Sequence, residues 1–248
     1  MQKRGARETA ARVRQHVAAI FRFAAAHVHP DSNPADAPIE VLTKAQRVRR
    51  RPAITSLPEL GALLRHPDLA PQTPSVRQCH RLIAHTATRI ANATAARWDE
   101  MQLEAEPAVW VIPRDQLKVR GRDLPNKVML SSQVINELHR LRAVVGDEEY
   151  IFPGTQGRDY VVREAIEKGL CVTLRLADRH SPHGWRSSFS TIAKESGEFK
   201  NEVVDLALDH IHDSAVARAY DRRERLAQRV RLTQWWSDHL ASAERTSK

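Results

Sequence analysis

The sequence predicts a mainly α-helical protein of the α+β kind, with one small antiparallel sheet set among the helices. Three observations carry this. Apolar residues recur at three- and four-residue steps along most of the 248-residue chain. Two short runs, "AVWVIP" and "NKVMLS", have the apolar, β-branched content of strands, and the polar stretch "RDQLKVRGRDLP" joins them. Hydrophobic residues at 42% and charged residues at 28% are ordinary for a folded domain, and the length allows one large domain plus a smaller module.

The first helix is expected from Glu8 to Val28, where Ala11, Val17, Ile20, Phe21 and Ala24 form the apolar stripe among Arg12, Arg14 and Arg22. The stretch "HPDSNPADAPIEVLTKAQRVRRRPAIT" follows, and its four prolines and arginine run read as a linker. The boundary is placed at Pro52, dividing 1–52 from 53–248. Beyond it, "LPELGALLRH" and "SVRQCHRLIAHTATRIANATAARW" have helical spacing, and the two strand runs come next. Gly121 and Asp123 supply turn chemistry close to Lys118, placing that lysine on or beside a hairpin tip.

Helices resume after the hairpin. In "SPHGWRSSFSTIAKESG", Ser181 is a capping residue and Pro182 suits a first helical position, with Trp185, Phe189, Ile192 and Ala193 as the buried stripe. His183 and Arg186 are three apart and so neighbours near a helix N-terminus, where an anion is favoured. Read alone, that pattern describes a capped helix with a structural histidine and a surface arginine more often than a phosphate grip. The helix "NEVVDLALDH" ends in His210, and Asp213 or Ser214 can cap the segment that carries Tyr220. Taken singly, Tyr220 reads as a packed aromatic.

The formal net charge of +9 points to a polyanionic partner, nucleic acid or an anionic membrane surface. Up to Pro52 the chain carries eleven Lys and Arg against four Asp and Glu, so the positive charge is concentrated at one end. No window approaches eighteen uninterrupted apolar residues and the first fifteen residues have no apolar signal core, so a cytoplasmic protein without a membrane span is expected. Cys79 and Cys171 lie far apart with no CxxC, which argues for two reduced, buried thiols. A metal site built from His180, His183, His210 and His212 lacks any HExxH or histidine-carboxylate pattern, so no metal and no cofactor is expected.

Taken together, HxxR, a later histidine and a tyrosine ten residues after it, in a basic chain, resemble the catalytic domain of the tyrosine recombinases of the phage and genomic-island integrase type. Upstream, "TRIANATAARWDEMQLEAEPAVWVIPRDQLKVRGRDLPNKVMLSS" is similar to the family's first catalytic arginine, ARW segment and lysine-bearing hairpin; downstream, "RLTQWWSDHLA" is similar to its C-terminal helix. The resemblance implies Arg89, Lys118, His183, Arg186, His210 and Tyr220 as the catalytic set. It implies cleavage and rejoining of DNA through a 3′-phosphotyrosyl intermediate by a homotetramer on attachment-site duplexes, in the bacterial cytoplasm at the nucleoid. Arg12, Arg14, Arg47, Arg49, Arg50, Arg51 and Arg120 are then the candidates for contact with the DNA backbone. The resemblance further implies that 1–52 is the remnant of a helical core-binding domain and 53–248 the catalytic domain.

Two departures shape the alternative. Family members commonly carry a Gly-Glu pair two and three residues after the first arginine, where this chain reads Ala91 and Asn92. The resemblance also begins inside the core-binding domain. The competing expectation is therefore a catalytically impaired integrase that only binds DNA.

Overall fold

The computed structural model describes residues 7–27, 33, 52–66, 73–117, 125–146, 148–155, 157–170, 175–176, 178–210 and 224–246. The chain divides into two compact units, Met1–Arg50 and Arg51–Lys248. Within the first, helix α1 runs Arg7–Ala25. Its expected stripe holds except at one position: Ala11, Val17, Phe21 and Ala24 are half-buried, but Ile20 is 65% exposed, as is Phe23 outside the stripe at 69%.

The second unit is mostly helical around one small sheet. Helix α2 (Leu57–Arg65) takes Pro58 in its first turn, and α3 (Pro74–Thr86) starts where the Thr73 hydroxyl accepts the Val76 N–H at 3.3 Å. The sequence reads as helical through to Trp98, yet the chain breaks after α3. Ala87 turns into the left-handed region at φ 50°, while the Thr86 hydroxyl donates back to Leu82 O at 2.6 Å. Short helix α4 (Ile90–Thr94) therefore begins afresh, with Arg89 extended at its N-cap.

Strands β2 (Val109–Ile112) and β3 (Asn126–Met129) pair antiparallel, with Trp110 opposite Val128. A two-residue strand β1 (Met101–Gln102), too short to leave a period in the sequence, completes the order β1-β2-β3. Glu100, immediately before β1, is almost fully buried. Its carboxylate accepts Trp110 Nε1–H at 2.9 Å, Gln116 Nε2–H at 2.7 Å and the Arg97 amide at 3.3 Å, so the start of the β2–β3 connection is tied down by one acid. Lys118 and Arg120, in that connection, lie outside the described residues.

Helices α5 (Ser132–Val145), α6 (Arg163–Lys168), α7 (Gly184–Glu195), α8 (Asn201–Ala207) and α9 (Glu224–Thr246) complete the unit. The core is centred on fully buried Trp110, Trp185, Trp236 and Phe152. On α9, Trp236 donates Nε1–H to Ala84 O at 2.8 Å, which fastens α9 to α3, and α2 lies along α9 with no room to spare. A Cβ added to Gly61 would sit 2.3 Å from the Ala243 carbonyl carbon. Cys79 is buried, as expected, and burial raises its thiol pKa, making it inert; Cys171 lies outside the described residues.

Candidate active site

Helix α7 supplies two of the expected residues. It starts at Gly184 rather than at Pro182, because Ser181, Pro182 and His183 form a preceding turn in which the Gly184 amide donates to Ser181 O at 2.7 Å. The Ser181 hydroxyl accepts the same N–H at 3.2 Å. His183 is the exposed N-cap, and its carbonyl accepts the Arg186 amide at 3.1 Å. The backbone at Gly184 is closely packed: a Cβ would lie 3.0 Å from both the His180 ring and Pro52 O.

Arg186 is not the surface arginine that an isolated HxxR would suggest; it is 5% exposed. Trp185, Phe189 and Ala193 sink the α7 face into the core and carry the arginine with them. Its guanidinium donates Nη1–H to Ala87 O at 2.7 Å and Nη2–H to Leu208 O at 2.6 Å, and Nη2 lies 3.4 Å from His210 Nε2. One buried cation thus joins the α3–α4 break, helix α7 and the end of α8.

The second arginine approaches from that break. Arg89 donates Nη1–H to the Asp209 carboxylate at 2.8 Å and points Nη2 at the Asp209 carbonyl, 3.4 Å away. Asp209 is 3% exposed and Arg89 23%, so the acid is buried and the arginine keeps an open side. Asp209 follows the α8 C-cap with φ 54°: its amide donates to Leu206 O at 3.0 Å and the His210 amide to Asp205 O at 2.9 Å. This is a Schellman closure, whose left-handed position normally belongs to glycine; an L-residue there costs on the order of 1 kcal/mol.

His210 completes the cluster. Its Nδ1 lies 3.7 Å from the Asp205 carboxylate, which also accepts Lys194 Nζ–H at 2.7 Å. Burial, the positive charge of Arg186 and that of Arg89 lower the His210 pKa against the opposing pull of Asp205, so the ring is neutral at pH 7. Burial and then the Arg89 charge push the Arg186 guanidinium down to about 10, with Asp209 opposing. It stays charged at neutral pH. Two guanidinium groups against one carboxylate leave a net positive site, suited to an anion.

The structure therefore brings together Arg89, Arg186 and His210 and places His183 one turn before Arg186. Tyr220 and the backbone-contact candidates Arg47, Arg49, Arg50 and Arg51 lie outside the described residues; Arg12 is exposed and Arg14 half-buried on α1. Asp209 and Asp205 were not among the sequence candidates. The available signal was an acidic residue immediately before a candidate histidine, in "LDH". No group of three or more His, Cys, Asp or Glu capable of holding a metal occurs among the described residues, and no helix among them is long and apolar enough to cross a membrane.

Comparison with known proteins gives the family and the fold. The family model described as the phage integrase family matches residues 56–225, a span that includes all six expected catalytic positions. Prophage integrase IntA of Escherichia coli K12 is 30% identical over 246 residues, covering 98% of this chain and 57% of that protein. The chain thus spans under two thirds of the length of the curated relatives it matches. The fold is shared with the Tn1549 transposon integrase in complex with a circular-intermediate DNA, at TM-score 0.64 and 10% identity, covering 92% of this chain and 79% of that one. It is shared also with a lambda integrase tetramer bound to a Holliday junction, at TM-score 0.54 and 15% identity, covering 90% and 63%.

Proposed function

The chain belongs to the phage integrase family, and on that premise we propose that it is a site-specific DNA recombinase that breaks and rejoins strands through a covalent phosphotyrosine. The observation that supports this most directly is the convergence of Arg89, Arg186 and His210 around one net-positive centre. Such a centre binds a phosphodiester and, more strongly, the extra charge of its pentacoordinate transition state. Arginine serves better than lysine because its planar fork meets two phosphate oxygens at once.

In the proposed reaction the Tyr220 oxygen attacks the scissile phosphorus, its phenolic proton passing to His183. The bond from phosphorus to the 5′-oxygen breaks, and Lys118 protonates that oxygen. The bond energy is kept in the 3′-phosphotyrosyl linkage, so rejoining to another 5′-hydroxyl requires no ATP. Arg89 and Arg186 neutralise the non-bridging oxygens. An arriving phosphate favours the protonated form of His210, converting the neutral ring into a donor to phosphate oxygen. Recombination needs two duplexes and four such active sites, so the partners are double-stranded DNA and three further copies of the chain, in the cytoplasm at the bacterial nucleoid. Arg12, Arg14, Arg47, Arg49, Arg50, Arg51 and Arg120 would contribute sequence-independent backbone contacts, with residues 1–52 belonging to a DNA-clamping segment and 53–248 to the catalytic domain.

The test uses nicked suicide duplexes tiled from DNA flanking the protein's own gene, incubated with wild type and Tyr220→Phe. A detergent-resistant adduct formed by wild type alone is the expected result. No adduct from either protein, with a low-salt mobility shift from both, would establish a DNA-binding protein without strand-transfer chemistry.

A further inference from the structure

We propose that Asp209 is the positioning residue of this site, the carboxylate that holds Arg89 in register with Arg186 for the scissile phosphate. The proposal rests on the recombinase reading of the site. Three features single the residue out. Its carboxylate is buried at 3% exposure yet faces the more exposed of the two arginines, pairing with Arg89 Nη1 at 2.8 Å. Its backbone sits at the left-handed closing position of α8, φ 54°, where glycine would be unstrained. Strain retained at a functional site is a sign that the side chain is used.

The third feature is placement. Leu208, immediately before it, accepts the Arg186 Nη2–H at 2.6 Å, and His210, immediately after it, lies 3.4 Å from the same Nη2. Three consecutive residues, 208–210, therefore contact both arginines, and the Schellman bonds from the amides of Asp209 and His210 lock their backbone. Arg89 and Arg186 are close enough for the charge of one to lower the pKa of the other. Without the acid between them, Arg89 is repelled towards solvent through its open side, and its fork no longer meets the phosphate in register. Asp205 does not substitute, since it accepts Lys194 Nζ–H and faces the other edge of His210.

The test compares Asp209→Asn and Asp209→Gly with wild type. Asparagine tolerates the left-handed backbone and keeps the shape; glycine relieves the backbone altogether, so both variants should fold with melting points close to wild type. A group that only ends a helix would leave the glycine variant fully active. The expected result is a fall of about 100-fold in the single-turnover rate of adduct formation on nicked duplex, the cost typical of a displaced catalytic group, with DNA affinity unchanged within about threefold. A glycine variant reacting within about threefold of wild type would overturn the proposal, as would a rate that falls only in step with the folded fraction.

A second readout needs no DNA. In protein labelled with ¹⁵N-arginine, the Arg89 Nε–Hε signal, assigned through Arg89→Lys, should show hindered Nη rotation in wild type and free rotation in both Asp209 variants. An unchanged Arg89 signal refutes the positioning role. If wild type makes no adduct but the Arg89 signal responds, the recombinase reading fails while the positioning of Arg89 stands.

Discussion

Lowering the pH from 7.5 to 5 should destabilise the larger unit by about 6 kcal/mol, because three histidines are buried in the neutral form. His80 Nε2 accepts Trp185 Nε1–H at 2.8 Å and His180 Nδ1 accepts the Ile54 amide at 3.1 Å, while His85 Nδ1 shares a hydrogen bond with Ser237 Oγ at 3.1 Å. Burial pushes His80 down to about 3, with His180 and Arg81 adding repulsion; burial and then Arg81 push His85 to about 3, and burial alone takes His180 to about 4. All three start from an ordinary value of 6.5, so their contribution is complete above that pH. Below it the unfolded chain takes up protons that the folded chain refuses, and each site loses about 1.4 kcal/mol per pH unit. At pH 5 that is about 2 kcal/mol for each, a sum comparable to the entire stability of many domains. Urea unfolding followed by tryptophan fluorescence at the two pH values measures it. A difference under about 1 kcal/mol would refute the assignment of all three as buried neutral rings. His80→Gln, which can offer Trp185 an amide oxygen instead, should recover about 2 kcal/mol of the loss.

Other perturbations reach other parts of the molecule. Gly61→Ala should cost about 2–3 kcal/mol in urea unfolding, since the added carbon meets Ala243 backbone that cannot swing aside. Glu100→Ala should cost a similar amount by leaving the Trp110 and Gln116 donors unmatched, and it should slow adduct formation further by loosening the segment leading to Lys118. Arg186→Lys should reduce adduct formation by about 100- to 1000-fold, because one ammonium cannot hold Ala87 O and Leu208 O while also meeting a phosphate; unchanged turnover would remove Arg186 from the site. Replacing Arg47, Arg49, Arg50 and Arg51 by Ala should flatten the dependence of log affinity on log salt by about 0.9 for each phosphate no longer neutralised, measured by titrations at two salt concentrations.

Much of the fold was legible because its signals are local. The period of Trp185, Phe189 and Ala193 marks a buried helix face, and the two β-rich runs mark a pair of antiparallel strands. The break at Ala87 was not legible: the apolar spacing runs on through Thr86 and Arg89, and what ends the helix is a left-handed residue with no glycine to announce it. The same difficulty hid Asp209. In sequence, Ala91 and Asn92 stand where family members commonly carry a Gly-Glu pair, so no acid is found close after Arg89. In the structure Arg89 is paired with an acid 120 positions away, brought there by the closure of α8.

That substitution bears on whether the site can act. A carboxylate on α4 would be fixed to the same element as the arginine it orients; one at the end of α8 ties Arg89 instead to the segment that contacts Arg186 and His210. Orientation of the first arginine then depends on the docking of α8 against α7, tied by Lys194–Asp205 at 2.7 Å. Lys194→Met should therefore weaken adduct formation without touching any group that meets the phosphate, by about 3- to 10-fold if the ion pair is worth the roughly 1 kcal/mol expected of a partly exposed one. An unchanged single-turnover rate in Lys194→Met, with Asp209→Gly impaired, would show that the Schellman bonds alone hold residues 208–210 in place.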